Sequence, residues 1–340
     1  MRARLWPKNS STSSPIARLP SRAYRRRMDL SAIVTETWNE LADERGGGNP
    51  ARYIPALAMV DPRKFGIALA TPDGRVFCAG DADEAFSIQS ISKVYALALA
   101  LEREGAALWD AVGREPSGNA FNSIVQLERE KGVPRNPFIN SGAIVTTDRF
   151  IGTRTPDEAV LDLLSRLRRM ARDETIAFDA EVARSESETG SRNRSLAYFL
   201  EDFGRLRNPV EDVLSVYFRQ CALTLSCRQL AEASLFLAFD GADPVTGQRM
   251  CSASRARRIN SLMLLCGHYD NSGQFAFEVG FPGKSGVGGG ILASVPGRAA
   301  ISVWSPGLNR AGTSLLGAKA LSSIALKTGW SVFSGQRPEA

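Results

Sequence analysis

The chain has 340 residues, and 44 % of them are hydrophobic, a share that is typical of a globular protein with a sizeable core. No stretch approaches the roughly 18 apolar residues that a membrane-spanning helix needs. The net charge of +6 arises in residues 1–28, which hold eight of the 42 Lys and Arg and no acid, so the rest of the chain carries 34 basic and 36 acidic residues. We therefore expect neither a nucleic-acid nor a membrane partner.

The first 28 residues are rich in Ser, Pro and Arg, and this composition predicts a disordered basic tail. They lack the apolar core of a secretory signal, although their Arg-rich, acid-free bias is also that of an organelle transit peptide. A third interpretation is that translation starts at Met28, which opens the first well-patterned segment. Residues 333–340 are predicted to form a short C-terminal tail.

The patterned chain begins with an amphipathic helix over 29–42, because Leu30, Val34, Trp38 and Leu41 recur at helical spacing. "RGGGNP" at 45–50 ends it. Two β-type runs around a Pro-Asp-Gly turn over 65–80 predict a hairpin. A helix over 90–104 follows.

From about 155 to 267 the pattern is helical, as in "PDEAVLDLLSRLRRMARD". After 274 short β-type runs return, and their sequences are "FAFEVG", "VGGGILASV" and "AAISVWSP". A helix over about 312–328 closes the pattern. We therefore predict an α+β fold with an antiparallel sheet from about 29–89 and 268–332, a helical part over 90–267, and one catalytic domain over 29–332.

The cysteine and histidine counts limit the kinds of active site that this chain can form. The five Cys show no C-x-x-C spacing, so reduced thiols in a cytoplasmic protein are expected. His268 is the single histidine, so a Ser-His-Asp triad could use only that residue, and a zinc site would have almost no imidazole. We expect no metal and no organic cofactor.

One short stretch, "FSIQSISKVYALALAL" at 86–101, places Lys93 three residues after Ser90 and against an apolar run. On one helix face these side chains are neighbours. Apolar surroundings lower the pKa of a lysine, and a neutral amine beside a serine is a general base beside a nucleophile. The alternative is a chance S-x-x-K whose lysine extends to solvent.

Serine enzymes with S-x-x-K also carry K-[ST]-G on a strand that faces the serine. "KSG" at 284–286 precedes a glycine-containing β-type run and fits that context, whereas "KTG" at 327–329 ends a helix, where Gly329 suits a C-cap. "GFPGKS" is no nucleotide-binding P-loop, because Glu278 stands where the motif needs Gly.

Together, several segments resemble the serine-dependent glutaminases, which are relatives of the β-lactamase and penicillin-binding fold. The similarity runs from about 30 to 330, and its segments include "ARYIPALA", "FSIQSISKVYAL", "NPFINSGAIV", "SESETGSRNRSLAYFL" and "YDNSGQFAFEVGFPGKSGVGGGI". The resemblance implies a β-lactamase-like fold and hydrolysis of L-glutamine to L-glutamate and ammonia through a glutamyl ester on Ser90. It also implies a homo-oligomer, a dimer or a tetramer.

The resemblance also carries roles to single residues. Lys93 takes the Ser90 proton, Tyr53 and Tyr269 lie beside the nucleophile, and one of them relays a proton to the leaving ammonia. The backbone N–H groups of Ser90 and Val287 hold the oxyanion. Substrate-binding positions are expected at Ser90, Asn140, Glu186, Asn193, Tyr217, Tyr269 and Val287.

For three of these residues a structural explanation stays open. Asn140 could be a turn residue, Glu186 one charge in a solvated loop, and Tyr217 a core tyrosine. If they do bind substrate, Glu186 pairs with the α-ammonium, and the neutral donors bind the α-carboxylate. A penicillin-binding or β-lactamase-type enzyme is the alternative function. The missing secretory signal and the lack of an S-D-N triplet count against it.

Overall fold

The structure is a computed structural model that describes residues 28–118 and 122–334. The predicted N-terminal tail lies outside these residues except for Met28, as does the C-terminal tail beyond Ser334. In chain order the helices are α1 (Leu30–Glu40), α2 (Pro55–Ala58), α3 (Ser92–Glu104), α4 (Leu108–Ala111), α5 (Val125–Arg129), α6 (Asn140–Ile151), α7 (Pro156–Ala171), α8 (Ala180–Thr189), α9 (Ser191–Asp202), α10 (Val210–Cys221), α11 (Cys227–Ala233), α12 (Leu235–Ala238), α13 (Ala253–Cys266), α14 (Ser272–Glu278) and α15 (Leu315–Thr328).

The strands are β1 (Gly66–Ala70), β2 (Val76–Gly80), β3 (Phe86–Ser87), β4 (Ala177–Phe178), β5 (Leu223–Leu225), β6 (Gly283–Ser285), β7 (Gly290–Val295) and β8 (Ala299–Trp304). Five of them form an antiparallel sheet in the order β2-β1-β8-β7-β6. The predicted hairpin over 65–80 supplies β1 and β2. Strand β1 pairs with β8, so the sheet joins residues from both ends of the described chain.

Side-chain alternation along β1 shows how this sheet is covered on both faces. Ile67 and Leu69 face one core, which they share with α1 and α15, while Ala68 and Ala70 face the larger core of the helical part. Alternate residues of a strand point to opposite faces, so both sets are buried. The sheet therefore lies between two helical layers.

A second, three-stranded antiparallel sheet has the order β3-β5-β4. The sequence predicted only helices over 155–267, so β4 and β5 correct that prediction. Both strands are two or three residues long, too short to show a period of two. Their role is positional, because β5 pairs with β3 just before Ser90, and the Ile88 N–H donates to Leu223 O at 2.9 Å.

A second correction concerns "FAFEVG", which was predicted as a strand and mostly belongs to helix α14. Phe275 and Val279 are buried, four residues apart, while Phe277 between them is 88 % exposed. A strand would place all three on one face, so the spacing that matters here is helical. No helix in the described part of the chain is both long and apolar enough to cross a membrane.

Helix α3 is enclosed by the helical part. Its residues Ser92–Leu101 are all buried, and helices α6, α7, α10 and α13 are among the elements that contact it. A helix that is apolar on every side belongs in a core rather than at a surface. Lys93, in its first turn, is therefore held away from solvent.

Candidate active site

Ser90 lies in a 3-10 turn, Gln89–Ile91, between β3 and α3. Gln89, just before it, has φ +50, a left-handed conformation that non-glycine residues seldom adopt. Ser90 is 9 % exposed, and its hydroxyl shares a hydrogen bond with Tyr269. Strand pairing on one side and helix α3 on the other fix the position of this serine.

Lys93 is 1 % exposed, and its Nζ donates to Phe138 O at 3.1 Å and to Asn140 Oδ1 at 2.7 Å. Burial lowers the pKa of Lys93 to about 8, against the opposing effects of Cys221 and Glu186. The alternative interpretation, in which this lysine extends to solvent, is therefore wrong. Both acceptors are neutral oxygens, so they hold the amine without pairing its charge.

Asn140 begins α6 and joins two of the expected site residues. Its Oδ1 accepts from Lys93, and its Nδ2 donates to Asn193 Oδ1 at 2.9 Å. The helix approaches the preceding turn closely at Gly142, where an added Cβ would collide with Asn136 O. Asn140 is thus no simple turn residue.

Glu186 is in helix α8 and is 7 % exposed, so it is not a charge in a solvated loop. Burial raises the pKa of Glu186 to about 7, while a hydrogen bond from Gln89 and the Lys93 amine act in the opposite direction. An ionised carboxylate with a partly dry environment favours a cationic partner.

A cavity of about 180 Å³ opens beside Ser90. Its lining contains seven of the predicted site residues, which are Tyr53, Ser90, Asn140, Glu186, Asn193, Tyr217 and Val287. Lys93 and Tyr269 do not line the cavity themselves. Each is hydrogen-bonded to a residue that does, Lys93 to Asn140 and Tyr269 to Ser90. Tyr217 is buried, whereas Tyr53 is 58 % exposed.

The loop between β6 and β7 carries Val287 to the Ser90 turn. An added Cβ at Gly286 would collide with Ile88 O, and one at Gly288 would collide with Ser87 O. Glycine at both positions therefore lets the two backbones meet. Val287, between them, lines the cavity next to Ser90.

Sequence reasoning missed Gln89 and Cys221, which also line the cavity. Gln89 donates to Ser87 Oγ at 3.0 Å and hydrogen-bonds Glu186. The signal in the sequence was proximity, because Gln89 directly precedes Ser90 and Cys221 follows Tyr217 by four residues. His268 takes no part in a triad, because neither of its ring nitrogens has a hydrogen-bond partner.

Among the described residues, no group of three or more His, Cys, Asp or Glu is arranged to hold a metal ion. The five cysteines are free thiols, and burial raises the pKa of Cys221 to about 12. Nucleophile, amine and carboxylate thus come together around one small polar cavity. This arrangement suits acyl transfer from a compact substrate that carries a positive charge.

Comparison with known proteins agrees with this geometry. A sequence model of the family described as Glutaminase matches residues 48–333. A glutaminase of Rhizobium etli (strain CIAT 652) is 59 % identical over 305 residues, which is 90 % of this chain and 99 % of that protein. A glutaminase of Agrobacterium fabrum (strain C58 / ATCC 33970) is 56 % identical with the same coverage.

Solved structures show the same relationship. A probable glutaminase, ybaS, is 38 % identical with a TM-score of 0.85, and covers 90 % of this chain and 100 % of its own. A probable glutaminase of Bacillus subtilis is 34 % identical with a TM-score of 0.82, and the coverages are 89 % and 97 %. The predicted α+β, β-lactamase-like fold is confirmed, and a penicillin-binding function is not favoured. The chain belongs to the glutaminase family.

Proposed function

We propose that this chain hydrolyses L-glutamine to L-glutamate and ammonia by a Ser-Lys acyl-enzyme mechanism. The observation that carries the proposal is the buried Lys93 amine, whose pKa is about 8, three residues after Ser90 at a cavity lined by Glu186. A lysine that is partly neutral near neutral pH can accept a proton, and a serine beside it can then act as a nucleophile.

Lys93 takes the Ser90 proton as Oγ attacks the side-chain amide carbon of glutamine. The oxyanion of the tetrahedral intermediate accepts hydrogen bonds from the backbone N–H groups of Ser90 and Val287. Tyr269 then gives a proton to the leaving nitrogen, the C–N bond breaks, and ammonia departs from a glutamyl ester. Water then attacks the ester and gives a proton to the Tyr269 phenolate, the ester C–O bond breaks, and Lys93 returns its proton to Ser90.

Tyr269 is the better candidate for this proton relay than Tyr53. Tyr269 is buried and hydrogen-bonded to Ser90, whereas Tyr53 is largely exposed at the rim of the cavity. We assign to Tyr53 the role of closing the cavity over bound substrate. A proton relay needs hydrogen-bond reach, and that reach supports Tyr269.

The cavity also fits the two charged ends of free glutamine. Glu186 pairs with the α-ammonium, because its negative charge balances the positive charge of the substrate in a partly dry site. Asn140, Asn193 and Tyr217 donate to the α-carboxylate. Burial raises the pKa of Tyr217 well above its ordinary value, so its hydroxyl keeps the hydrogen that it donates. Serine and lysine supply nucleophile and base, so this scheme needs no metal or organic cofactor.

Ammonia release from L-glutamine, with L-asparagine as the comparison, tests the function. We expect Ser90→Ala and Lys93→Ala to lose at least about a hundredfold in kcat, and we expect Ser90→Ala to unfold at the wild-type temperature. Ser322→Ala and Lys319→Ala, on the partly exposed side of α15, are matched controls that should keep wild-type activity. A Ser90→Ala variant that retains a tenth of wild-type turnover would refute the serine mechanism.

We further propose a cytoplasmic homo-oligomer. The cytoplasmic assignment is supported by five free thiols, all but Cys78 buried, since oxidising compartments favour disulfides. The oligomer, a dimer or a tetramer, is supported by resemblance to the family alone. Light scattering of the purified chain measures its mass directly, and a mass near 36.8 kDa would contradict the oligomer.

A further inference from the structure

Arg192 lines the cavity beside Ser90, and the mechanism above does not use it. It is the second residue of α9 and is exposed to solvent. Among the described residues of the lining, Glu186 is the one acid and Arg192 the one base. The Arg192 guanidinium has no ion pair or hydrogen bond to any residue of 28–118 and 122–334. It is therefore a cation at the mouth of a catalytic cavity that is free to bind an anionic group of a ligand.

Two other arginines lie close to Arg192 in the sequence, and both have partners. Arg184 pairs with Glu188 one turn further along α8, at 3.3 Å. Arg194 donates to the carbonyl oxygen and the hydroxyl oxygen of Ser187. Neither arginine lines the cavity, so both serve the surface of the fold. Arg192 has no such structural role.

The junction between α8 and α9 brings Arg192 to the same cavity as Glu186. Helix α8 ends at Thr189 and α9 begins at Ser191, so Gly190 alone separates them. An added Cβ at Gly190 would lie 2.7 Å from Glu186 O, and glycine therefore permits this tight junction. The last turn of α8 thus supplies an anion to the cavity, and the first turn of α9 supplies a cation.

Asn193 indicates which end of the substrate lies beside Arg192. Its Oδ1 accepts a hydrogen bond from Asn140 Nδ2 at 2.9 Å, so its own Nδ2 is left to donate. The proposed scheme uses that donor for the α-carboxylate, and Arg192 directly precedes it on α9. Asn140, Asn193 and Tyr217 are neutral, so they bind the carboxylate without balancing its charge. A positive charge is still missing on this side of the cavity.

We propose that Arg192 is a specificity-determining residue of the glutaminase reaction, and that its guanidinium pairs with the α-carboxylate of glutamine at the mouth of the cavity. The proposal rests on the proposed function. It gives the zwitterionic substrate two charge pairs, Glu186 with the ammonium and Arg192 with the carboxylate. An amide whose α-carboxyl group is blocked loses one of these pairs, so the cavity discriminates against it.

Kinetics of Arg192→Gln test the proposal with L-glutamine and with L-glutamine α-amide, which keeps the ammonium and has a neutral group in place of the carboxylate. For glutamine we expect KM to rise at least about fivefold with kcat within about twofold of wild type, because the pair is present before and in the transition state alike. For the α-amide we expect kcat/KM to stay within about twofold of wild type. Arg192→Lys keeps the charge and should stay within about threefold of the wild-type KM for glutamine.

Salt concentration gives a second measurement. Arg192 is exposed, so dissolved ions screen its charge. Between about 0.05 and 0.5 M NaCl we expect the KM of wild type for glutamine to rise more than that of Arg192→Gln. An equal response to salt in the two proteins would contradict a role for this guanidinium.

Arg184→Gln is the matched control, because it removes the same charge from an exposed arginine of α8 that does not line the cavity. It should keep the wild-type KM, and every variant should unfold near the wild-type temperature. If the α-amide is hydrolysed too slowly to measure, its inhibition constant against glutamine is compared instead. An Arg192→Gln variant that loses the same factor with both compounds, or nothing with glutamine, would overturn the proposal, whereas a wild-type chain that releases no ammonia from glutamine would overturn the proposed function.

Discussion

Glu186 shows a conflict between stability and recognition within a single side chain. Burial raises its pKa from 4.5 to about 7, so the folded protein disfavours the carboxylate that an α-ammonium requires. A raised folded-state pKa in an acid contributes stability that is present below pH 4.5 and is lost as the pH rises through about 7. At pH 8 the ionised side chain is therefore a cost to the fold.

Glu186→Gln should expose this conflict. At pH 8 we expect the variant to be more stable than wild type by about 1–3 kcal/mol, and kcat/KM for glutamine to fall by about 2–4 kcal/mol of transition-state binding. The gain in stability should vanish below about pH 4.5, where the wild-type side chain is neutral. Urea unfolding at both pH values and steady-state kinetics measure the two effects, and a variant with kcat/KM within about twofold of wild type would show that the ammonium is recognised elsewhere.

At the scale of elements, the site depends on a close contact between two backbones. The β6–β7 loop meets the Ser90 turn at Gly286 and Gly288, where a side chain has no room. Since Val287 lies between these glycines, any displacement of the loop also moves its N–H group. Oxyanion donors act only at the right distance, so a small shift has a large effect on rate.

Gly288→Ala tests this contact, because its Cβ would collide with Ser87 O. We expect kcat to fall at least about tenfold, with thermal unfolding only moderately lowered. Gly273→Ala in helix α14 is the control, since an added Cβ meets nothing within 4 Å and alanine favours a helix by about 1 kcal/mol. Equal activity in the two variants would mean that Val287 contributes no oxyanion donor.

The sequence predicted the elements whose patterns are local, and it located the site by motif. The hairpin over 65–80, the helix after Ser90 and the C-cap at Gly329 are all present, because turns, apolar periodicity and glycine caps act over a few residues. Strands β4 and β5 were missed because they are defined by pairing with distant segments.

The contacts within the site were also hard to predict, because they join residues that are distant in the sequence. Motifs located seven residues that line one cavity. The hydrogen-bond partners of Lys93 are Phe138, just before α6, and Asn140, the first residue of α6, which lie 45 and 47 residues further along the chain. No local pattern states which carbonyl a buried amine will meet. The prediction of a strand over "FAFEVG" was wrong for a related reason. Strand alternation and helical spacing both place Phe275 and Val279 on the same face, and they differ only in the face on which they place Phe277.

For the whole molecule, His268 links pH to stability. Its ring is fully buried, stacks on Phe275 at 3.7 Å and has no hydrogen-bond partner for either nitrogen. Burial and the nearby Lys284 hold the pKa of His268 well below its usual value. The unfolded chain takes up a proton near pH 6.5 and the folded one does not, so stability is lost as the pH falls below that value.

His268→Phe should remove this dependence while keeping the stacked ring. Between pH 7.5 and 5.5 we expect wild type to lose about 1.4 kcal/mol more unfolding free energy than the variant. Urea unfolding at the two pH values gives the difference, in which the contributions of other groups cancel. Equal losses in both proteins would mean that His268 is protonated in the folded state.

The sheet order β2-β1-β8-β7-β6 also has a consequence for biosynthesis. β1 leaves the ribosome with β2, but its other neighbour, β8, is made more than two hundred residues later, which at about 5–20 residues per second is roughly ten to fifty seconds. Throughout that interval β1 has an open edge and apolar side chains on both faces, which is a template for aggregation. The nascent chain would therefore be a natural client for chaperones, and protease digestion of ribosome-bound chains should find the hairpin protected only after Trp304 has emerged.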